Sequence, residues 1–200
     1  MSVSFEVTPQ GLFVLKGVHA SYPHLSKAHS FDNDPEKARF SINALIPVSE
    51  KAYGEMKKSL ASKMPKDGPK ADPSKLPFKE ISGDKLPQAW IDREGVSAHS
   101  VKFASKTAPQ VYDEKGMPAS PEIIQGGDVV NVAFSAFGFS NKFGSFLQLQ
   151  VAAVQKVASD LSFGGAAPQV DASVFGIAPV DFAKPAPAGI DPFDDQEIPF

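Results

Sequence analysis

Phe137, Phe139 and Phe146 fall at alternate positions of a hairpin, "DVVNVAFSAFGF" turning through "SNKFG" into "SFLQLQVAAVQKV". Alternation puts them in phase with Asn131, Ser135, Gln148 and Gln150, and opposite to Leu147, Leu149 and Val151. Three aromatic rings on an otherwise polar strand face, with Lys142 at the turn, have a chemistry of their own. Flat rings stack on unpaired nucleobases, and nearby cations track the phosphates. The other reading of this face is a small apolar cluster packed under a neighbouring segment. Further cations sit on strand-like stretches: Arg39, Ser41 and Asn43 alternate with Phe40, Ile42 and Ala44, and Lys102, Ala104 and Lys106 alternate with Val101 and Phe103. Arg39, Asn43, Lys102, Lys106, Phe137, Phe139, Lys142 and Phe146 are therefore the candidate contacts to single-stranded nucleic acid.

Catalytic chemistry finds little support. His19, His24, His29 and His99 do not combine with carboxylates at metal-ligand spacing. No glycine-rich phosphate loop precedes a helix, and no serine sits in a nucleophile elbow. The protein is expected not to be an enzyme, and no metal or cofactor is implied.

Elements must carry these residues. "GLFVLKGVHASY" and "RFSINALIPV" read as strands, and "SEKAYGEMKKSLASKM" as the one substantial helix, with Ser49 as its cap and Tyr53, Met56, Leu60 and Met64 on one side. "PKDGPKADPSKLPFKEISGDKLPQ" (65–88) is too rich in proline for a helix or a central strand. A long excursion with little regular structure is expected there, whose Lys66, Lys70, Lys75, Lys79 and Lys85 could close over a bound strand. The fold class expected is mainly β: a small antiparallel barrel with one main helix, which removes the sheet's edges by closure.

The charge is uneven. Residues 157–200 hold seven acidic residues against Lys184 alone, a charge of −6, which leaves +3 on the rest of a chain whose total is −3. A basic body with an acidic tail points to a polyanion partner for the former and an interaction role for the latter. From Ala158 the composition is Ala, Pro and Gly with scattered Asp and Phe, a linker composition. The organisation expected is a body over 1–157, a flexible linker over 158–190 and an acidic tip over 191–200, the tail disordered. Cysteine is absent, so no disulfide framework exists. No apolar run nears the roughly 20 residues of a membrane span, and "MSVSFEVTPQ" lacks signal-peptide character. A cytoplasmic protein without a membrane partner is expected.

The final "DDQEIPF" resembles the acidic ending, closed by Ile-Pro-Phe, of bacterial single-stranded-DNA-binding proteins: Asp194, Asp195, Glu197, Ile198, Pro199 and Phe200 match in order. The resemblance implies a tip that docks on replication or repair partners. The body, roughly Gly11 to Val157, resembles instead a bacteriophage family of single-stranded-DNA-binding proteins. It does so through "SYPHL", "FSINALIPVSEKA" and the hairpin from Gly126 to Val157. That likeness implies an oligonucleotide-binding barrel acting in phage DNA replication or recombination, in the host cytoplasm. It brings no residue-by-residue contact motif, and a homo-oligomer stays open. The rival reading is a protein-interaction adaptor with a barrel body, an acidic docking tail and no DNA role.

Overall fold

The computed structural model describes residues 2–30, 32, 34–65, 76–142 and 144–163. The chain divides into two units, 1–165 and 166–200, and the second lies outside the described residues. The first is mainly β. Strands β1 (Ser4–Val7), β2 (Phe13–His29) and β3 (Arg39–Pro47) precede helix α1 (Lys51–Ala61). Then follow β4 (Phe78–Ser82), a short helix α2 (Gln88–Glu94), and β5 (Ser97–Ser105), β6 (Gln110–Tyr112), β7 (Val129–Asn141) and β8 (Gly144–Ala158). No helix among the described residues is long and apolar enough to cross a membrane.

All eight strands join one sheet in the order β4-β5-β3-β2-β7-β8-β6, with β1 beside β2. Pairing is antiparallel except between β6 and β8. The sheet bends because β2 serves two halves of it. Residues 13–19 pair with β7, and the strand then continues along β3 from His19 to His29. Gly17 lies at the bend, where the register with β7 shifts; its φ of +71° is left-handed, and a Cβ there would lie 3.0 Å from Ser2 O. The curl brings β5 towards β8, where Gln150 Nε2 donates to Ser105 Oγ at 3.5 Å. No strand pairing joins them among the described residues, so the barrel expected from sequence is an open one.

Inside the curl lies the main core. Leu15, Val18, Ile42, Val101, Phe103, Val132, Phe134 and Leu149 are buried there, with Met56 and Leu60 of α1 packed against them. The helical side read from sequence is essentially the packed one, with Tyr53 and Met64 half-buried at its margin. The cap departs from expectation: Glu50 occupies that position and its side chain makes no capping bond.

A second cluster covers part of the sheet's outer face: Leu45, Leu86, Trp90 and Ala98, with Ile81, Ile91, Leu161 and Phe163 against them. It explains two elements that composition hid. The proline-rich excursion returns to the sheet as β4, an edge strand on β5, and α2 is fastened by the fully buried Trp90. Residues 158–163, which composition placed at the start of the linker, run along the body. Leu161 N donates to Gly127 O at 3.2 Å, and Phe163 N to Gly126 O at 3.0 Å. Gly127 has φ +100°, and a Cβ on it would collide with the Leu161 carbonyl, so only glycine admits this strap.

An ionic group fixes the strap. Arg93 Nη1 donates to Asp160 Oδ2 at 2.6 Å and Nη2 to His19 Nε2 at 2.7 Å. The Arg93 bond, with that to His19, holds the Asp160 carboxyl below the usual carboxylate range. Burial pushes His19 down; its Nε2 stands 2.7 Å from Arg93 Nη2 and 3.1 Å from Asp160 Oδ2, and the tautomer decides which of the two it bonds.

Candidate nucleic-acid interface

Where the second cluster ends, the outer face of β3 opens. Leu45 is covered, whereas Asn43, Ser41 and Arg39 face outward at alternate positions. Register sets their neighbours: Asn43 lies opposite Lys102 and Ser41 opposite Ala104 on β5, while Ser21 and His24 of β2 lie opposite Asn43 and Ser41 on the other side. The result is a groove of about 680 Å3 that also takes in Tyr22, His29, Asp32 and Lys37. Lys102 and Ala104 line a second hollow, about 210 Å3, with Phe139, Phe146 and Gln148. One path thus runs from the β7–β8 hairpin across β5 and β3 to the middle of β2.

The three rings of the hairpin divide, and Phe137 lines neither hollow. Phe137 and Phe139 are 44% and 42% exposed, while Phe146 is 9% exposed. Phe146 pairs across the ladder with Phe139, rings stacked at 5.4 Å, so it supports the exposed ring from below. Arg39, Asn43 and Lys102 are brought together with Phe139 and Phe146. Lys106 is exposed just beyond β5, and Lys142 is exposed at the hairpin turn; neither lines the two hollows. Lys66, Lys70 and Lys75 lie outside the described residues, and so do Asp194, Asp195, Glu197, Ile198, Pro199 and Phe200.

Sequence reading missed Tyr22, His24, His29 and Lys37. Tyr22 is 69% exposed, with φ +48°. Its signal was the Tyr-Pro pair inside a strand, since Pro breaks the ladder and marks a bulge. His24 and His29 stack at 4.6 Å with their planes 12° apart, an arrangement that the bend of β2 alone creates. Cations and anions are mixed: Arg39 Nη1 donates to the carbonyls of Glu36 and Ala38, both at 2.7 Å, and Lys37 pairs with Asp32 and Asp34 at 3.4 and 3.3 Å.

Burial, His29 and Lys102 together push the His24 imidazole below its ordinary value. A phosphate bound in the groove would stabilise the protonated ring, and binding would then take up a proton. Affinity for a single strand is expected to rise as pH falls through the ordinary histidine value of about 6.5 and below it, by at most about tenfold per pH unit for one proton. It should level off once His24 is protonated in the free protein. Binding curves at constant ionic strength check this, and His24→Gln should flatten the profile.

A curved sheet carrying an exposed aromatic and cationic path is the architecture of a binder of unpaired strands. Three structures of the single-stranded DNA-binding protein from bacteriophage Enc34 are similar to it. The structure in complex with ssDNA is 25% identical, covers 80% of this chain and 94% of its own, and superposes with a TM-score of 0.62. The C-terminal truncation is 23% identical, covers 80% and 97%, and has a TM-score of 0.61; a third structure is 22% identical, covers 88% and 100%, with 0.59. They agree with the body's resemblance to a bacteriophage family of single-stranded-DNA-binding proteins. No family model matches the chain. No curated protein matches it either.

Proposed function

We propose that the protein binds single-stranded DNA without sequence preference, and that it protects and presents single strands during phage DNA replication or recombination. The observation that carries this reading is the path from Phe139 over Lys102 to Arg39. There an exposed ring and two cations from three strands line adjoining hollows on one face. The likeness to a phage protein in complex with ssDNA supports it. So does the oligonucleotide-binding-barrel reading of the curled sheet, since such barrels bind strands on an outer face. An adaptor would also use exposed rings such as Phe139 and Tyr22; the likeness to a protein in complex with ssDNA favours the DNA reading over it. The protein acts by binding, not catalysis, in the host cytoplasm.

Binding of oligo-dT is the test. With Arg39 and Lys102 each neutralising a phosphate, the log–log slope of affinity against salt should be about −1.4, at roughly −0.7 per contact. Equal affinity for duplex and single strand at matched salt would overturn the reading.

The acidic tip has two roles in this proposal. Asp194, Asp195, Glu197, Ile198, Pro199 and Phe200 recruit replication or recombination proteins, and the same charges compete with DNA for the basic groove. Deleting residues 191–200 should raise DNA affinity, most at low salt where screening is weakest, and abolish partner recruitment. Unchanged or weaker DNA binding would leave the tip as a docking peptide only.

A further inference from the structure

We propose that the slot between Tyr22 and the strap is a terminal nucleobase subsite, which takes one unpaired base of the bound strand against the Tyr22 ring. This rests on the single-strand-binding reading above and extends the DNA path beyond its last cation.

The backbone makes the first case. Ser21 lies opposite Asn43 and His24 opposite Ser41, so three steps along β2 face two along β3. The extra residue is a bulge, a device that re-aims side chains next to functional surfaces. Tyr22 is the one non-glycine residue with positive φ among the described residues. The following Pro23 disfavours that conformation further. A bulky side chain held in a strained conformation by its surroundings marks a position whose direction matters. Here the strain drives outward the most exposed large hydrophobic side chain of the described residues.

The surroundings make the second case. Tyr22 lines the groove on one side and, on the other, a slot of about 200 Å3 shared with Pro23, Pro87, Gly126 and Phe163. Continuity through one ring gives a strand in the groove a direct route into the slot. The lining is apolar and flat-sided, suited to the faces of a base, and every base has such faces, so no sequence preference is created. Phe163 is set there by its bond to Gly126 O, and a Cβ on Gly126 would lie 3.3 Å from the Phe163 Cβ. A base in the slot therefore touches the strap itself. By linkage, DNA then stabilises the docked strap, and the docked strap favours DNA.

Fluorescence anisotropy with oligo-dT of graded length tests this in the full chain. Tyr22→Ala should weaken binding of long oligonucleotides about 5- to 150-fold, the worth of one stacked base. Its affinity should stop rising with length about one nucleotide earlier than that of the wild type. Oligonucleotides too short to reach the slot should bind both proteins alike. Tyr22→Trp should restore affinity. Phe163→Leu, which keeps apolar contact with the Trp90 cluster, should behave as a milder Tyr22→Ala. Hydrogen exchange at the Leu161 and Phe163 amides should slow when oligo-dT is added. Wild-type length dependence in both Tyr22→Ala and Phe163→Leu would overturn the subsite while leaving the single-strand reading intact. Absence of oligo-dT binding by the wild-type protein would overturn that reading, and the subsite with it.

Discussion

Arg39→Glu combined with Lys102→Glu is expected to weaken oligo-dT binding by about two to three orders of magnitude at 0.1 M salt. The estimate follows from counterion release, about 0.7 log unit per neutralised phosphate at that salt, with each reversal counting twice. Asn43, opposite Lys102 on the neighbouring strand, and Ser41 between the two positions fix these cations on one floor. The loss should therefore come with a shallower salt slope and not with unfolding. Lys102 is exposed, and the Arg39 bonds tie it only to carbonyls one and three residues away. Matching thermal transitions for wild type and variant, beside the anisotropy data, separate lost contacts from lost fold. Retained affinity in a folded double variant would place the phosphate path elsewhere.

Phe134→Ala is the substitution expected to cost the body most, about 3–5 kcal/mol of folding stability. Phe134 is fully buried where β7 crosses the core. Its ring packs on Phe13 at 5.6 Å and on Phe103 at 4.7 Å, and Phe13 stacks in turn on Phe5. One side chain thus links strands from both halves of the sheet. Removing it leaves a void that two rigid rings cannot fill. Urea unfolding measures the cost, and the melting temperature should drop by roughly 6–20 °C for a body of this size. Phe134→Leu should lose clearly less. A loss below about 1 kcal/mol for the alanine variant would show that the cluster collapses around the gap.

Alternation was the legible part of this chain. It separated Val101 and Phe103 from Lys102, and Leu147, Leu149 and Val151 from the rings opposite, because each of those strands has one covered face. Helical spacing located α1 for the same reason. Local pattern fails where a distant element decides. Leu45 has the phase of Asn43 yet is buried, because α2 and the strap cover that end of β3. Phe146 has the phase of an exposed ring, but Phe139 lies over it. β4 escaped notice because an edge strand hydrogen-bonds on one side only and tolerates proline beside it. α2 has Pro87 at its cap and seven residues, too few for a periodic signal. The candidate site was half legible: Arg39, Asn43, Lys102, Phe139 and Phe146, singled out by type and phase, do line its two hollows, while register alone joined Asn43 to Lys102, and a bulge alone turned Tyr22 outward.

The two-sided pairing of β2 has a consequence in time. A growing polypeptide makes β2 early and can zip its later half against β3 as soon as both exist. Its earlier half must wait for β7, since Phe13 finds Phe134 and Val18 finds Val130 only after most of the body has been made. At about 5–20 residues per second, the interval between completing β3 and completing β7 is roughly 5–20 s. Throughout it Leu15, Val18 and Ile42 have no β7 or β8 to lie against, and Phe103 joins them once β5 has been made. Pairings this far apart in sequence also fold slowly once they become available, because a long loop must close before any contact rewards it. The nascent protein thus passes through a sticky half-sheet, and its exposure to aggregation depends on the pace of translation as well as on the stability of the finished sheet.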